Sequence, residues 1–98
     1  MSILYYAEMK CDEYGWSKLD FLSLVELWGA VSRWDFTKGD PNGSYGIPQA
    51  CPGYKMESFG SDWETNYETQ INWGLDYIRS RYRNPSKALE YFKKNNCY

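Results

Sequence analysis

Apolar side chains recur at helical spacing along most of this chain, interrupted by one long stretch that does not repeat. Ser2 can cap a first predicted helix from Ile3 to Tyr14, with Gly15 as its stop. Ser17 followed by Asp20 resembles a capping box with Asp in the place of Glu or Gln. Behind it Phe21, Leu24, Val25, Trp28 and Val31 fall three and four apart, which predicts a second helix with a buried stripe, ending near Arg33 or Trp34. From Asp35 to Asp62 glycines and prolines are too frequent for a long helix or a regular strand. Tyr45, Ile47, Tyr54, Met56 and Phe59 argue against disorder there, so the segment reads as an ordered loop with a short pair of β-turns. Thr65 and Glu68 predict another capping box, opening a helix whose stripe is Tyr67, Ile71, Gly74, Leu75, Ile78 and Tyr82. Asn84-Pro85 ends it and starts the last helix, from about Pro85 to Lys94, burying Ala88, Leu89 and Phe92.

A chain of 98 residues is long enough for one core, and residues 1–98 read as a single domain. Aromatic residues make up 19%, including ten Tyr and five Trp. Such rings either fill a thin helical core or line a cleft whose flat faces stack on sugars. Net charge is −2 with both signs mixed along the chain, so nucleic-acid binding by phosphate neutralisation has little support. Arg79, Arg81, Arg83, Lys93 and Lys94 read as solvated helix faces. With no His, triads and metal sites built on imidazole are excluded. Cys11, Cys51 and Cys97 lack metal-motif spacing, and an odd count leaves at least one thiol free in a monomer. Whether two of the three pair stays open; no structural metal and no cofactor are expected. No apolar run is long enough to span a membrane. The opening Met1-Ser2-Ile3-Leu4-Tyr5-Tyr6 lacks the layout of a secretory signal, so action on a cell wall would need another export route or a longer parent protein.

The chemistry-bearing stretch is Gly43-Ser44-Tyr45-Gly46-Ile47-Pro48-Gln49-Ala50, preceded by Ser32-Arg33-Trp34. Pro52-Gly53-Tyr54-Lys55-Met56, Asp62-Trp63 and the run Thr69-Gln70-Ile71-Asn72-Trp73-Gly74-Leu75-Asp76-Tyr77-Ile78 follow in order. As an ordered set these blocks resemble the transglycosylase SLT family, lysozyme-like lytic transglycosylases of secreted bacterial and phage proteins. The resemblance implies a small, mainly α lysozyme-like domain, with several helices around a glycan cleft and the long loop as one wall. It implies cleavage of the β-1,4 bond between MurNAc and GlcNAc to 1,6-anhydro products, and peptidoglycan or a chitin-like strand as partner. It further implies an extracellular, cell-envelope or phage-associated location, in a monomer or a domain of a larger protein.

Departures from the family pattern matter as much. Where the family carries its general acid, a Glu just before Ser-x-Trp, this chain has Val31. Valine cannot protonate a leaving oxygen, and losing acid–base catalysis costs about 10²–10⁴-fold. Ser23 and Ser86 stand where many relatives carry Cys, and Cys97 where they often carry Trp. By resemblance Gln49 hydrogen-bonds the sugar, against the alternative of a loop amide serving local backbone. Tyr45 supports the catalytic position or is a core tyrosine; Ser32 binds a sugar hydroxyl or its own helix end; Tyr77 is a cleft wall or core. Met56 and Trp73 read as core rather than cleft. As substitute acids Glu26 faces elsewhere on its helix, Asp35 is short and sits where the helix ends, and Asp40 anchors a turn. The expectation is a domain that binds glycan but turns over slowly or not at all. A non-catalytic glycan-binding pseudoenzyme and a purely structural part of a larger assembly are the alternatives.

Overall fold

Helices pack around one shared apolar cluster in the computed structural model, which describes residues 2–98. Helix α1 spans Ile3–Glu13, α2 Lys18–Ser32, α3 Tyr67–Tyr82 and α4 Pro85–Asn95, with a 3-10 segment at Gly53–Phe59. The result is a compact, mainly α globule with a radius of gyration of 12.1 Å and no strand among the described residues. No helix among them is long and apolar enough to cross a membrane.

Local chemistry sets most of the boundaries. The Ser2 hydroxyl accepts from the Tyr5 N–H at 3.0 Å and starts α1. The Ser17–Asp20 box is complete in both directions, so the shorter Asp serves as well as Glu would. Asn84 accepts from the Lys87 N–H at 2.9 Å and Pro85 opens α4, as expected. The start of α3 differs by one residue. Asn66, not Thr65, is the cap and accepts from the Glu68 N–H at 2.9 Å. Asp62 fixes that register by accepting from Asn66 Nδ2 at 2.8 Å and Thr69 Oγ1 at 2.7 Å, while Thr65 closes a turn onto the Asp62 carbonyl. Helix α2 ends one residue early, at Ser32, because Arg33 and Trp34 both turn left-handed, with φ of 55° and 59°.

Phe21, Leu24 and Trp28 of the predicted α2 stripe are buried, joined by Leu27, whereas Val25 and Val31 are only half-buried. They meet Ile71, Leu75 and Ile78 of α3 and Ala88 and Leu89 of α4. Gly74 permits this approach: a Cβ there would lie 2.5 Å from the Trp28 ring and 2.9 Å from Pro48. The most extensive helix pairing is α2 with α4. Within it Ser23 Oγ lies 3.0 Å from Ser86 Oγ. Ser86 donates its single proton to Asp20 Oδ1 at 2.7 Å, so Ser23 is the donor between the two serines.

The stretch from Asp35 to Asp62 is ordered, as expected, by isolated antiparallel bridges of Tyr45 with Gly39 and with Ala50 rather than by strands. Periodicity gave no sign of its 3-10 segment. A second cluster of Tyr45, Ala50, Met56 and Trp63 lies beneath it. The fully buried Gln70 of α3 ties the stretch to the helices. Its Oε1 accepts from the Ile47 N–H at 2.9 Å, and its Nε2 donates to the Phe36 and Trp63 carbonyls at 2.9 and 2.8 Å. Gly46, at φ 80°, leaves room for that amide, since a Cβ would fall 2.5 Å from Gln70 Oε1.

Candidate functional site

A cleft runs between the end of α2, the Ser44–Cys51 loop and the C-terminal tail. Its wider part, about 510 Å³, is lined by Ala30 and Val31 from α2, by Ser44, Gln49 and Cys51 from the loop, and by Phe92, Asn96, Cys97 and Tyr98. Gln49, Cys51 and Tyr98 also border a narrower extension of about 150 Å³ that reaches Lys55, Trp73 and Tyr77. Trp73 and Tyr77 lie nearly parallel there, with ring centroids 5.2 Å apart and planes at 13°. Val31 and Tyr77 therefore border two adjoining parts that share Gln49, Cys51 and Tyr98, although they lie far apart in sequence.

Gln49 is positioned by an uncommon backbone. Its φ is 55°, in the left-handed region that costs a non-glycine residue roughly 1–2 kcal/mol. The Nε2 amide folds back onto the carbonyls of Gly46 at 2.8 Å and Lys38 at 3.2 Å. Oε1 makes no hydrogen bond among the described residues and is the atom with which the side chain can meet a ligand.

Ser32 and Tyr45 are not in the groove. Ser32 is buried, with its hydroxyl 2.7 Å from the Ile47 carbonyl, 3.0 Å from the Trp28 carbonyl, and accepting from the Trp34 N–H. Of its two expected uses, the bond to the helix end is the one it makes, and the Ile47 contact adds a link from α2 to the loop. The Tyr45 hydroxyl donates to the Glu64 carbonyl at 2.8 Å, and the ring meets Trp63 edge-on. Burial raises its pKa, so at neutral pH it is a neutral pillar of the second cluster. Met56 is core, as expected, whereas Trp73 borders both that cluster and the groove.

Tyr98 is the largest wall residue that periodicity could not find. Its hydroxyl accepts from Trp28 Nε1 at 2.7 Å and donates to the Pro48 carbonyl at 2.6 Å. Desolvation holds its pKa far above the usual phenol range, so it stays protonated and locks the tail against α2 and the loop.

Among the described residues no carboxylate side chain lines either part of the cleft. Glu26 is exposed and paired with Lys93 Nζ at 3.3 Å. Asp35 accepts from Thr37 Oγ1 at 2.7 Å and from the Thr37 N–H at 2.9 Å, bonds that lower its pKa, the opposite of what a general acid needs. Asp40 accepts from the Asn42 N–H at 3.0 Å within its own turn. The described residues contain no group of three or more His, Cys, Asp or Glu placed to hold a metal ion. Cys11 is buried, and its thiol is pushed up to about 12 by desolvation, an inert core group. Cys51 and Cys97 are free and exposed at the rim of the wider part. The groove can thus stack rings and hydrogen-bond an amide or hydroxyl, but no carboxyl side chain among the described residues stands on its walls to protonate a leaving oxygen. No family model, curated protein or solved structure matches this chain.

Proposed function

We propose that this domain binds the glycan strand of peptidoglycan, as a lytic transglycosylase-like domain that lacks its general acid. The observation that carries the reading is the pair of adjoining hollows that share Gln49, one bordered by Val31 and the other by the stacked Trp73–Tyr77 pair, with no carboxylate side chain among the described residues on their walls. Flat aromatic faces suit pyranose rings, and Gln49 Oε1 suits the N–H of an N-acetyl group. The family resemblance supplies the choice of glycan, and with it an extracellular or cell-envelope place of action. Glycosidic cleavage needs a proton for the departing oxygen, and Val31 holds the position from which the family gives it. A carboxyl there would share its cavity with Phe92 and Tyr98, partly apolar surroundings of the kind that raise a carboxyl pKa.

The test is digestion of purified peptidoglycan by this chain and by Val31→Glu, with products read by mass spectrometry. Release of 1,6-anhydro muropeptides by Val31→Glu alone is the expected result. Activity in both would mean that another carboxylate acts. A folded Val31→Glu that neither cleaves peptidoglycan nor binds chitotetraose would sink the reading and leave a structural domain.

A further inference from the structure

A second hollow, of about 300 Å³, opens where the end of α3 meets the outer face of α4. Arg81 and Tyr82 form one side; Lys87, Glu90, Tyr91 and Lys94 form the other. Composition does not dictate this convergence, because the chain as a whole is negative. Lys10, Lys18, Arg79 and Lys93 each sit against a carboxylate, while the four charged groups of the hollow make no such pair among the described residues. Arg81 is held in place without being neutralised. Its Nε donates to the Tyr82 hydroxyl at 3.2 Å, and its guanidinium lies 5.9 and 5.7 Å from the Tyr77 and Tyr82 ring centroids. Its terminal nitrogens make no hydrogen bond among the described residues and keep the fork that suits a carboxylate.

A layer of packed aromatic rings lies between the hollow and the cleft. Tyr82 lies 6.3 Å from Tyr77 and 6.2 Å from Tyr98, both groove residues, and 5.3 Å from Tyr91 on the far side. A group that projects from a polymer in the groove and reaches across this one layer of rings would meet the hollow.

We propose that the hollow is a subsite for the peptide stem of the strand whose sugars occupy the groove, a proposal that rests on the glycan-binding reading above. Sugar rings in the intact strand are uncharged once the lactyl group is amide-linked, so the charge sits on the stems. A stem ending in a diamino acid and D-Ala carries several carboxylates and one ammonium. Arg81, Lys87 and Lys94 match the carboxylates, and Glu90 matches the ammonium.

Three probes test this by amide chemical-shift titration at low salt: a GlcNAc–MurNAc tetrasaccharide without peptide and with its lactyl groups capped as amides, the same tetrasaccharide bearing tetrapeptide stems, and the free tetrapeptide stem. The stem-bearing probe should bind roughly tenfold tighter, from two or so charge-assisted contacts at an exposed site, and should shift the amides of Lys87, Tyr91 and Lys94 as well as Gln49. Lys87→Gln/Lys94→Gln, both on the exposed face of α4, should abolish that gain and leave the peptide-free probe bound as before. Equal affinity for both tetrasaccharides, with shifts confined to the groove, overturns the subsite while the glycan reading stands. Shifts at the hollow from the free stem peptide, with no binding of the peptide-free probe, would overturn the glycan reading and keep the subsite. If no probe moves any amide, both fall.

Discussion

The helical frame and the loop that walls the groove both bury apolar side chains, but the loop leans more on hydrogen bonds to the rest of the molecule. In the frame, Leu24, Leu27, Ile71, Leu75 and Ile78 are fully buried and apolar, each stabilising the fold by about 1.5–3 kcal/mol through area removed from water. In the loop, Ile47 and Met56 are fully buried as well, and hydrogen bonding from a few side chains of the frame adds ties across the longer, more exposed chain. Gln70 reaches Phe36, Ile47 and Trp63; Ser32 reaches Ile47; Tyr98 reaches Pro48. Apolar contacts tolerate a change of shape in proportion to the volume lost. A hydrogen-bonding anchor offers no such gradation, because its partners are stranded when it goes. The groove is thus built from a forgiving wall and an unforgiving one.

Gln70→Ala should show the contrast most sharply. It removes three hydrogen bonds and leaves the Ile47 N–H and two carbonyls without partners in a dry site, a loss of about 3–5 kcal/mol at roughly 1–3 kcal/mol per stranded group, partly relieved by relaxation. Urea unfolding should report it, and hydrogen exchange should show amides of the Asp35–Asp62 stretch exposed ahead of those in α2. Uniform loss of protection across α2 and the loop would mean that the two regions are not separately held.

The frame can be sharpened in the opposite direction. The Ser23–Ser86 contact joins its most extensively paired helices at a separation of 3.0 Å between hydroxyls, so Ser23→Cys/Ser86→Cys should oxidise to a cross-link and stabilise by roughly 2–4 kcal/mol. The rise in melting temperature should vanish with reductant, and the loop amides should gain less protection than those of α2 and α4.

Tyr98→Phe touches the boundary between the two regions. It strands Trp28 Nε1 and the Pro48 carbonyl while keeping the ring, at a cost of about 1–3 kcal/mol in thermal or urea unfolding. A cost no greater than that of an exposed Tyr→Phe would show that the tail does not tie frame to loop.

Asp62→Asn should have the smallest effect and the clearest sign. Hydrogen bonds from Asn66 and then Thr69 lower the Asp62 pKa below its ordinary 3.8. The unfolded state therefore binds the proton first as pH falls. The stabilisation is present above pH 3.8 and lost as pH drops through the depressed native value. The variant should flatten the acid limb of the stability curve below about pH 4 without abolishing it, because Asp35 is shifted the same way.

How much was legible follows the same division. Helical periodicity depends on neighbours within one turn, and it located all four helices and much of the buried faces of α2, α3 and α4, though Phe92 is only half-buried. The cap of α3 missed by one residue because Asp62, outside the helix, decides between Thr65 and Asn66. The loop's order rests on partners such as Ile47 and Gln70, 23 residues apart, which no local pattern encodes. In the groove, Val31, Gln49 and Tyr77 are legible only through the family resemblance, which no local spacing supplies. Ser32 was ambiguous for a physical reason: a serine at a helix end can face out or bond back, and here the Ile47 carbonyl, 15 residues away, favours the inward rotamer. Tyr98 meets Trp28 across 70 positions, beyond the reach of any spacing argument.

The paired hydroxyls of Ser23 and Ser86 carry a practical consequence. Two thiols in the same place would make the union of α2 with α4 depend on an oxidant, on an isomerase and on the redox poise of the compartment. A hydroxyl pair anchored on Asp20 forms on contact and asks nothing of its surroundings. The chain should regain its native state from denaturant in the presence of excess dithiothreitol as readily as without it.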